Sequence, residues 1–79
     1  MDKSQLTAYV AVLAPRVLAL LIKKRMISEH EAIRIFYNSE LYETLENEET
    51  KLWRLSAETL YNLLEEELST GEINYPEEL

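Results

Sequence analysis

The sequence predicts an all-α fold, a small bundle of about four helices in a single domain spanning residues 1–79. One glycine and two prolines leave little turn chemistry for a β-rich fold, whereas leucine, glutamate and alanine favour helices. Apolar residues recur at helical spacing in several segments. Hydrophobic residues make up 47% of the chain, which is enough for a core, although a domain of this length buries only about 60–65% of its unfolded surface.

The longest apolar run, residues 8–22, organises the chain. Only Pro15 and Arg16 interrupt it, and three cations follow it at residues 23–25. The run predicts a long first helix from Ser4, as N-cap, to Arg25, bent near Pro15 because proline removes one backbone hydrogen bond and crowds the preceding turn. Apolar residues occur around the whole circumference of this helix, so we expect it to be covered on every side.

Two serines mark the next helices. Ser28 and Glu31 have the spacing of a capping box, which predicts a second helix ending near Asn38. Ser39 can cap a short third helix that extends to about residue 46.

The second half of the chain has one further strong helix signal. Ser56 can cap a fourth helix that ends before Gly71, the only glycine. Residues 47–50 are predicted to form a loop, and residues 51–55 fit either a helix or an extended segment. Residues 72–79 are predicted to form a short acidic C-terminal tail.

Composition excludes several functional classes. The chain has no cysteine, so it can form no disulfide, thiolate metal site or cysteine nucleophile, and a cytoplasmic location is expected. The apolar run has 15 residues, against about 20 for a membrane span, and it contains Arg16. We therefore expect no membrane insertion.

Charge is distributed unevenly along the chain. Residues 1–27 carry five basic residues and one acid, whereas residues 28–79 carry three basic residues and fourteen acids, for a net charge of −7 overall. An acidic surface repels phosphate backbones and attracts basic protein surfaces. We therefore expect a protein partner and no nucleic acid.

No residue pattern indicates an enzyme. The single histidine, His30, lies between two glutamates that point elsewhere on a helix, so the segment lacks the i, i+3 or i+4 spacing of metal ligands. The serines at positions 28, 39 and 56 are explained as caps, and no base is placed to activate them. We expect no catalytic residue, no cofactor and no metal.

Aromatic residues are the candidates for partner binding, because tyrosine and tryptophan combine a large contact area with a polar tip. The candidate partner-binding residues are Tyr37, Tyr42, Trp53, Tyr61 and Tyr75. The alternative is that these side chains close the edge of the bundle.

Residues 28–67 resemble a family of short helical bacterial proteins of unknown function. The family pattern is S-x-x-E-A-I-x-x-F-Y-x-S-x-L-Y, followed by an E-x-T-x-L-W step and a closing helix rich in leucine and glutamate. The matching residues are Ser28, Glu31, Ala32, Ile33, Phe36, Tyr37, Ser39, Leu41 and Tyr42, then Glu48 or Glu49, Thr50, Leu52 and Trp53. The resemblance implies a companion of an ADP-ribosyltransferase-like toxin, hence an antitoxin or accessory role, and it brings no catalytic residues.

Two functions therefore remain open. The first is a non-enzymatic protein-binding module, such as an antitoxin that occludes a basic surface of a toxin. The alternative is a self-associating structural protein, since three shorter helices cannot cover an apolar helix of about 22 residues. The predicted interface of that homodimer is Val10, Leu13, Val17, Leu20 and Leu21.

Overall fold

The computed structural model describes residues 3–75, and within that range every regular element is helical, which confirms the all-α prediction. Four α-helices form the bundle, and two 3₁₀ turns join the third to the fourth. The helices are α1 (Lys3–Arg25), α2 (Glu29–Tyr37), α3 (Glu40–Leu45) and α4 (Ala57–Thr70), and the 3₁₀ turns are Glu48–Thr50 and Leu52–Arg54. Of the predicted acidic tail, residues 76–79 lie outside the described range.

Helix α1 continues through Pro15 as one element of 23 residues. Pro15 cannot donate to the carbonyl of Ala11, but both residues are exposed, so water can hydrate that carbonyl and the helix need not break. Ser4 lies within the helix, so its predicted role as the N-cap is wrong. The bend near Pro15 stays a prediction.

The three predicted serine caps are confirmed, because each hydroxyl oxygen accepts a hydrogen bond from the backbone N–H three residues later. The pairs are Ser28 with Glu31 at 3.1 Å, Ser39 with Tyr42 at 3.0 Å and Ser56 with Thr59 at 3.1 Å. The capping box at Ser28 is only half formed, since the Glu31 carboxylate accepts from Arg34 instead. At the other end of α4, Gly71 is the C-cap with φ of 83°, as the sequence predicts.

Residues 48–50 and 52–54 form two 3₁₀ turns, where the sequence predicts a loop followed by a segment that is either helical or extended. The Asn47 side chain caps the first turn by accepting from the N–H of Glu49 at 3.0 Å. Lys51, in the left-handed region with φ of 59°, separates the two turns. The Trp53 indole donates to the carbonyl of Glu48 at 3.1 Å and ties the second turn to the first.

The core lies between one side of α1 and the three shorter helices. Phe36 is a fully buried member of this core. Helix α1 contributes a single stripe of buried residues: Leu6, Leu13, Ala14, Val17 and Leu21. The opposite side is open, with Tyr9 49% and Val12 55% exposed. The three shorter helices therefore leave one side of α1 uncovered, as expected from their lengths.

The predicted dimer interface falls mostly on the stripe that the core of the same chain uses. Val17 and Leu21 are fully buried and Leu13 is 9% exposed, so these three residues pack mainly against the other helices of the same chain. Val10 and Leu20 are half-buried and pack against that core. The larger exposed surface of α1 is on its other side.

Three consecutive glutamates of α4 hold three different parts of the chain in place. Glu65 accepts a bidentate hydrogen bond from Arg25 at the end of α1, with distances of 2.6 and 3.0 Å. Glu66 accepts from the backbone N–H of Asn74, beyond the helix end. Because neighbouring side chains on a helix point about 100° apart, each carboxylate reaches a different segment.

Glu67 caps α3 from outside that helix. Its two carboxylate oxygens accept from the backbone N–H groups of Glu40 and Leu41, at 2.9 and 3.0 Å. These N–H groups lie in the first turn, where an α-helix has no internal partner for them and where negative charge is favourable. The cap therefore fixes the position of α3 relative to α4.

Candidate protein-binding surfaces

The five candidate partner-binding aromatics differ in accessibility. Tyr37 is 43% exposed, whereas Tyr42, Trp53 and Tyr75 are half-buried. The Tyr75 hydroxyl donates to the Thr44 hydroxyl at 3.1 Å and so holds the segment after α4 against α3. Tyr37 and Tyr42 are therefore the two tyrosines best placed to meet a partner.

Tyr61 does not belong to a binding surface, which corrects the prediction. The side chain is only 5% exposed, and its hydroxyl donates to Glu65. The Lys24 ammonium lies 5.3 Å from the centre of its ring. Burial first, and then the hydrogen bond to Glu65, raise the pKa of Tyr61 to about 12. The residue closes the contact between α1 and α4.

Tyr37, Tyr42 and Phe36 form a compact group of rings, here called the aromatic cluster. The Tyr37 and Tyr42 ring centres are 4.7 Å apart, and they lie 5.1 and 5.2 Å respectively from the centre of Phe36. All three pairs meet edge to face, the arrangement favoured by aromatic quadrupoles. The buried ring thus holds two partly exposed rings in fixed positions.

The segment between Arg34 and Lys51, which carries the aromatic cluster, is acidic. Residues 35–50 contain five glutamates and no basic residue. The Tyr42 hydroxyl donates to Glu46 at 3.2 Å. Burial, followed by the charge of Glu46, raises the pKa of Tyr42, so the phenol stays neutral and the carboxylate stays oriented. Neutral rings beside carboxylates are chemically suited to lysine and arginine side chains.

A second surface lies on the outer side of α1, and sequence reasoning named only Leu13, Leu20 and Trp53 of the residues that line it as candidate contacts. The rings of Tyr9 and Trp53 are 5.3 Å apart at an interplanar angle of 40°, and together with Ala8 and Val12 they line a shallow aromatic cleft. Toward the C-terminus the cleft continues as an apolar groove beside the start of α4. This groove is lined by Leu13, Arg16, Ala19, Leu20, Lys23, Ser56, Ala57 and Glu58.

Helix α1 is long and apolar enough to cross a membrane, judged by length and composition alone. The helix extends beyond the apolar run at both ends, which is why it passes the length test. Core helices of soluble proteins and signal sequences share these properties. Only 22% of the most apolar window is buried in the bundle, so most of the helix circumference is open to other contacts.

The chemistry of catalysis and metal binding has little support in residues 3–75. No group of three or more histidine, aspartate or glutamate side chains in this range is placed to hold a metal ion. His30 is exposed in the first turn of α2, and the hydroxyls of Ser28, Ser39 and Ser56 cap helices.

The aromatic cluster and the outer side of α1 are therefore the two candidate functional surfaces. Comparison with protein families, with curated proteins and with solved structures finds no match to the chain.

Proposed function

We propose that the chain is a non-enzymatic protein-binding module that binds a basic protein surface through its aromatic cluster. The observation that carries this proposal is the exposed Tyr37 ring, held edge to face against Tyr42 within a segment of five glutamates and no cation. Rings fixed before binding lose little conformational entropy when a partner docks. The glutamates supply long-range attraction, and the ring faces supply contacts for lysine and arginine.

The resemblance of residues 28–67 supports a more specific role, an antitoxin or accessory partner of an ADP-ribosyltransferase-like toxin. An enzyme that binds a dinucleotide needs positive charge for the pyrophosphate. The acidic surface around the aromatic cluster would compete with the dinucleotide for that positive charge and so block the binding cleft of the toxin.

The proposal is tested by co-expression with the product of the adjacent reading frame, followed by affinity purification and measurement of the dissociation constant. We expect a stoichiometric complex whose affinity falls as salt rises, because charges at the rim of an interface are screened. Replacing Tyr37 by serine should weaken binding by about tenfold or more, as for an aromatic residue that anchors an interface.

The matched control is Tyr9→Ser, which removes a ring of similar exposure that lies outside the aromatic cluster and contacts Trp53 instead. This variant should bind like the parent. Equal loss of binding in both variants, or none in Tyr37→Ser, would contradict the assignment of the aromatic cluster as the partner-binding surface.

A further inference from the structure

The outer side of α1 is an apolar strip that no part of residues 3–75 covers. Its five exposed residues follow one side of the helix: Ala8, Ala11, Val12, Pro15 and Ala19. At 1.5 Å per residue the strip from residue 8 to residue 19 is about 17 Å long, which is about half of the longest dimension of the molecule, 35 Å. Contiguous exposed apolar patches of this kind mark interfaces more often than ordinary surface.

The two halves of the strip differ in chemistry. The N-terminal half carries the aromatic cleft of Tyr9 and Trp53, and its other wall is apolar. The C-terminal half is bordered by Arg16 and Lys23, which are exposed and form no ion pair or hydrogen bond with any residue from 3 to 75. Pro15 lies about midway between the aromatic and the cationic half.

We propose that a second copy of this chain occupies the strip, in a two-fold dimer whose α1 helices lie antiparallel and cross near Pro15. A two-fold interface requires a surface that is complementary to itself after reversal. Reversal about Pro15 places the cationic half of one α1 against the aromatic half of the other. Arg16 and Lys23 then reach the rings of Tyr9 and Trp53 in cation–π contacts, and this happens twice in the dimer.

The side chains along the strip favour close approach of two helices. Alanine predominates, so no long side chain separates the backbones, while Val12 supplies the largest apolar contact. A parallel arrangement would instead place cations against cations. Neither Tyr37 nor Tyr42 lines the cleft or the groove, so the dimer does not depend on the proposed partner function.

The size of the contact predicts a dimer of moderate affinity. One helix with its flanking groove lies at the low end of the areas seen in stable protein interfaces. We therefore expect a dissociation constant in the micromolar range. Sedimentation equilibrium over a concentration series should show the mass rising from 9.3 kDa toward twice that value.

Trp53, the only tryptophan, provides an independent readout because it lines the cleft. Its fluorescence should change on dilution with the same midpoint as the mass. A change with a different midpoint, or no change while the mass halves, would place the contact elsewhere.

The decisive variant is Val12→Lys, which adds a cation opposite the partner's own cations at an exposed position of α1. The dimer should weaken by about tenfold or more, because like charges in an interface are unfavourable. Leu68→Lys makes the same type of change at an exposed position of α4, 39% accessible and outside the groove, and should dimerise like the parent. Circular dichroism checks the fold, and Ala8→Lys, also exposed and in the aromatic half of the strip, replaces Val12→Lys if that variant is not helical.

Three results would overturn the inference: a monomer at every concentration, a Val12→Lys dimer as strong as the parent, or a monomer that binds vesicles of anionic phospholipid through this strip. The last result would identify the strip as a membrane-binding surface. Tyr37→Ser should leave the dissociation constant of the dimer unchanged. The dimer proposal and the proposal that the aromatic cluster binds a partner can therefore be refuted separately.

Discussion

At the scale of single residues, Ser28 shows how one hydroxyl sets the start of a helix. Its oxygen accepts from the N–H of Glu31 at 3.1 Å, and the reciprocal half of the capping box is absent. Ser28→Ala should lower the free energy of unfolding by about 1 kcal/mol in a denaturant melt. Ser69→Ala, at an exposed position inside α4, is the control and should change stability by less than about 0.5 kcal/mol. Equal losses of stability in the two variants would show that the Ser28 cap does not stabilise the helix.

Met26 occupies an unfavourable position at the end of α1. Its φ of 55° lies in the left-handed region, and the side chain is 90% exposed, so no packing compensates the strain. Met26→Gly should raise the free energy of unfolding by about 1 kcal/mol, because glycine adopts this conformation without steric cost. Met26→Ala keeps a Cβ atom and should give no comparable gain in thermal melts. A similar gain from alanine would show that backbone strain is not the cause.

Phe36 connects the core to the aromatic cluster. Phe36→Ala should cost about 3–5 kcal/mol because the site is fully buried and cannot collapse easily. That loss is comparable with the entire stability of a domain of this size, so the cooperative thermal transition should disappear. Ile33→Ala, on the same helix but 38% exposed, should retain a cooperative melt. A Phe36→Ala variant that melts near the parent temperature would place the ring outside the core.

At the scale of whole elements, local signals decided what could be predicted. The starts of α2, α3 and α4 follow from serine hydroxyls that bond to their own helix, so nearby sequence contains the information. The side of α1 that enters the core depends on where the other helices dock, which apolar residues around its circumference do not reveal. Lys51 likewise adopts a left-handed backbone conformation, which the sequence does not predict for a lysine.

The same limit applies to the candidate surfaces. Tyr37 and Tyr42 could be proposed from residue type alone, because their exposure agrees with the usual role of tyrosine. Tyr61 could not be assigned, since its burial depends on Lys24 and Glu65 from two helices. Tyr9 was missed because it lies inside an apolar run, and only the packing of α1 shows that it points outward.

The cap that Glu67 provides can be tested directly on α3. This helix has six residues, too few to persist alone in water. Glu67→Ala should cost about 1–2 kcal/mol and speed hydrogen exchange at the N–H groups of Glu40 and Leu41. The control is Glu58→Ala, which removes a carboxylate from α4 that makes no hydrogen bond to residues 3–75. Unchanged exchange at those two amides would refute the cap.

At the scale of the whole molecule, the Arg25–Glu65 contact links stability to pH. The hydrogen bond from Arg25 is the main reason that the pKa of Glu65 is lowered from 4.5. A carboxyl with a lowered pKa in the folded state contributes its stability above the pKa of the unfolded chain, and that contribution is lost as pH falls through the folded value. The bundle should therefore weaken on the acid side of pH 4.5.

Glu65→Gln tests this link in melts at a series of pH values. The variant should be less stable than the parent at neutral pH, and the difference should shrink as the pH falls below the pKa of the parent carboxyl. Glu31→Gln is the control, because the pKa of Glu31 is also lowered by an arginine but the pair is exposed to water. A constant difference between Glu65→Gln and the parent at all pH values would exclude the contact as the source of acid sensitivity.

The three neighbouring carboxylates of α4 also determine which changes of chain length the protein can accept. Adding or deleting one residue before Glu65 rotates all that follows by about 100° around the helix axis. All three glutamates would then lose their hydrogen bonds at once: those with Arg25, with the first turn of α3 and with the backbone N–H of Asn74. A one-residue insertion in the exposed 71–72 turn leaves the register of residues 65–67 untouched. A chain that keeps this arrangement can therefore vary in length after the helix but needs constant spacing within it.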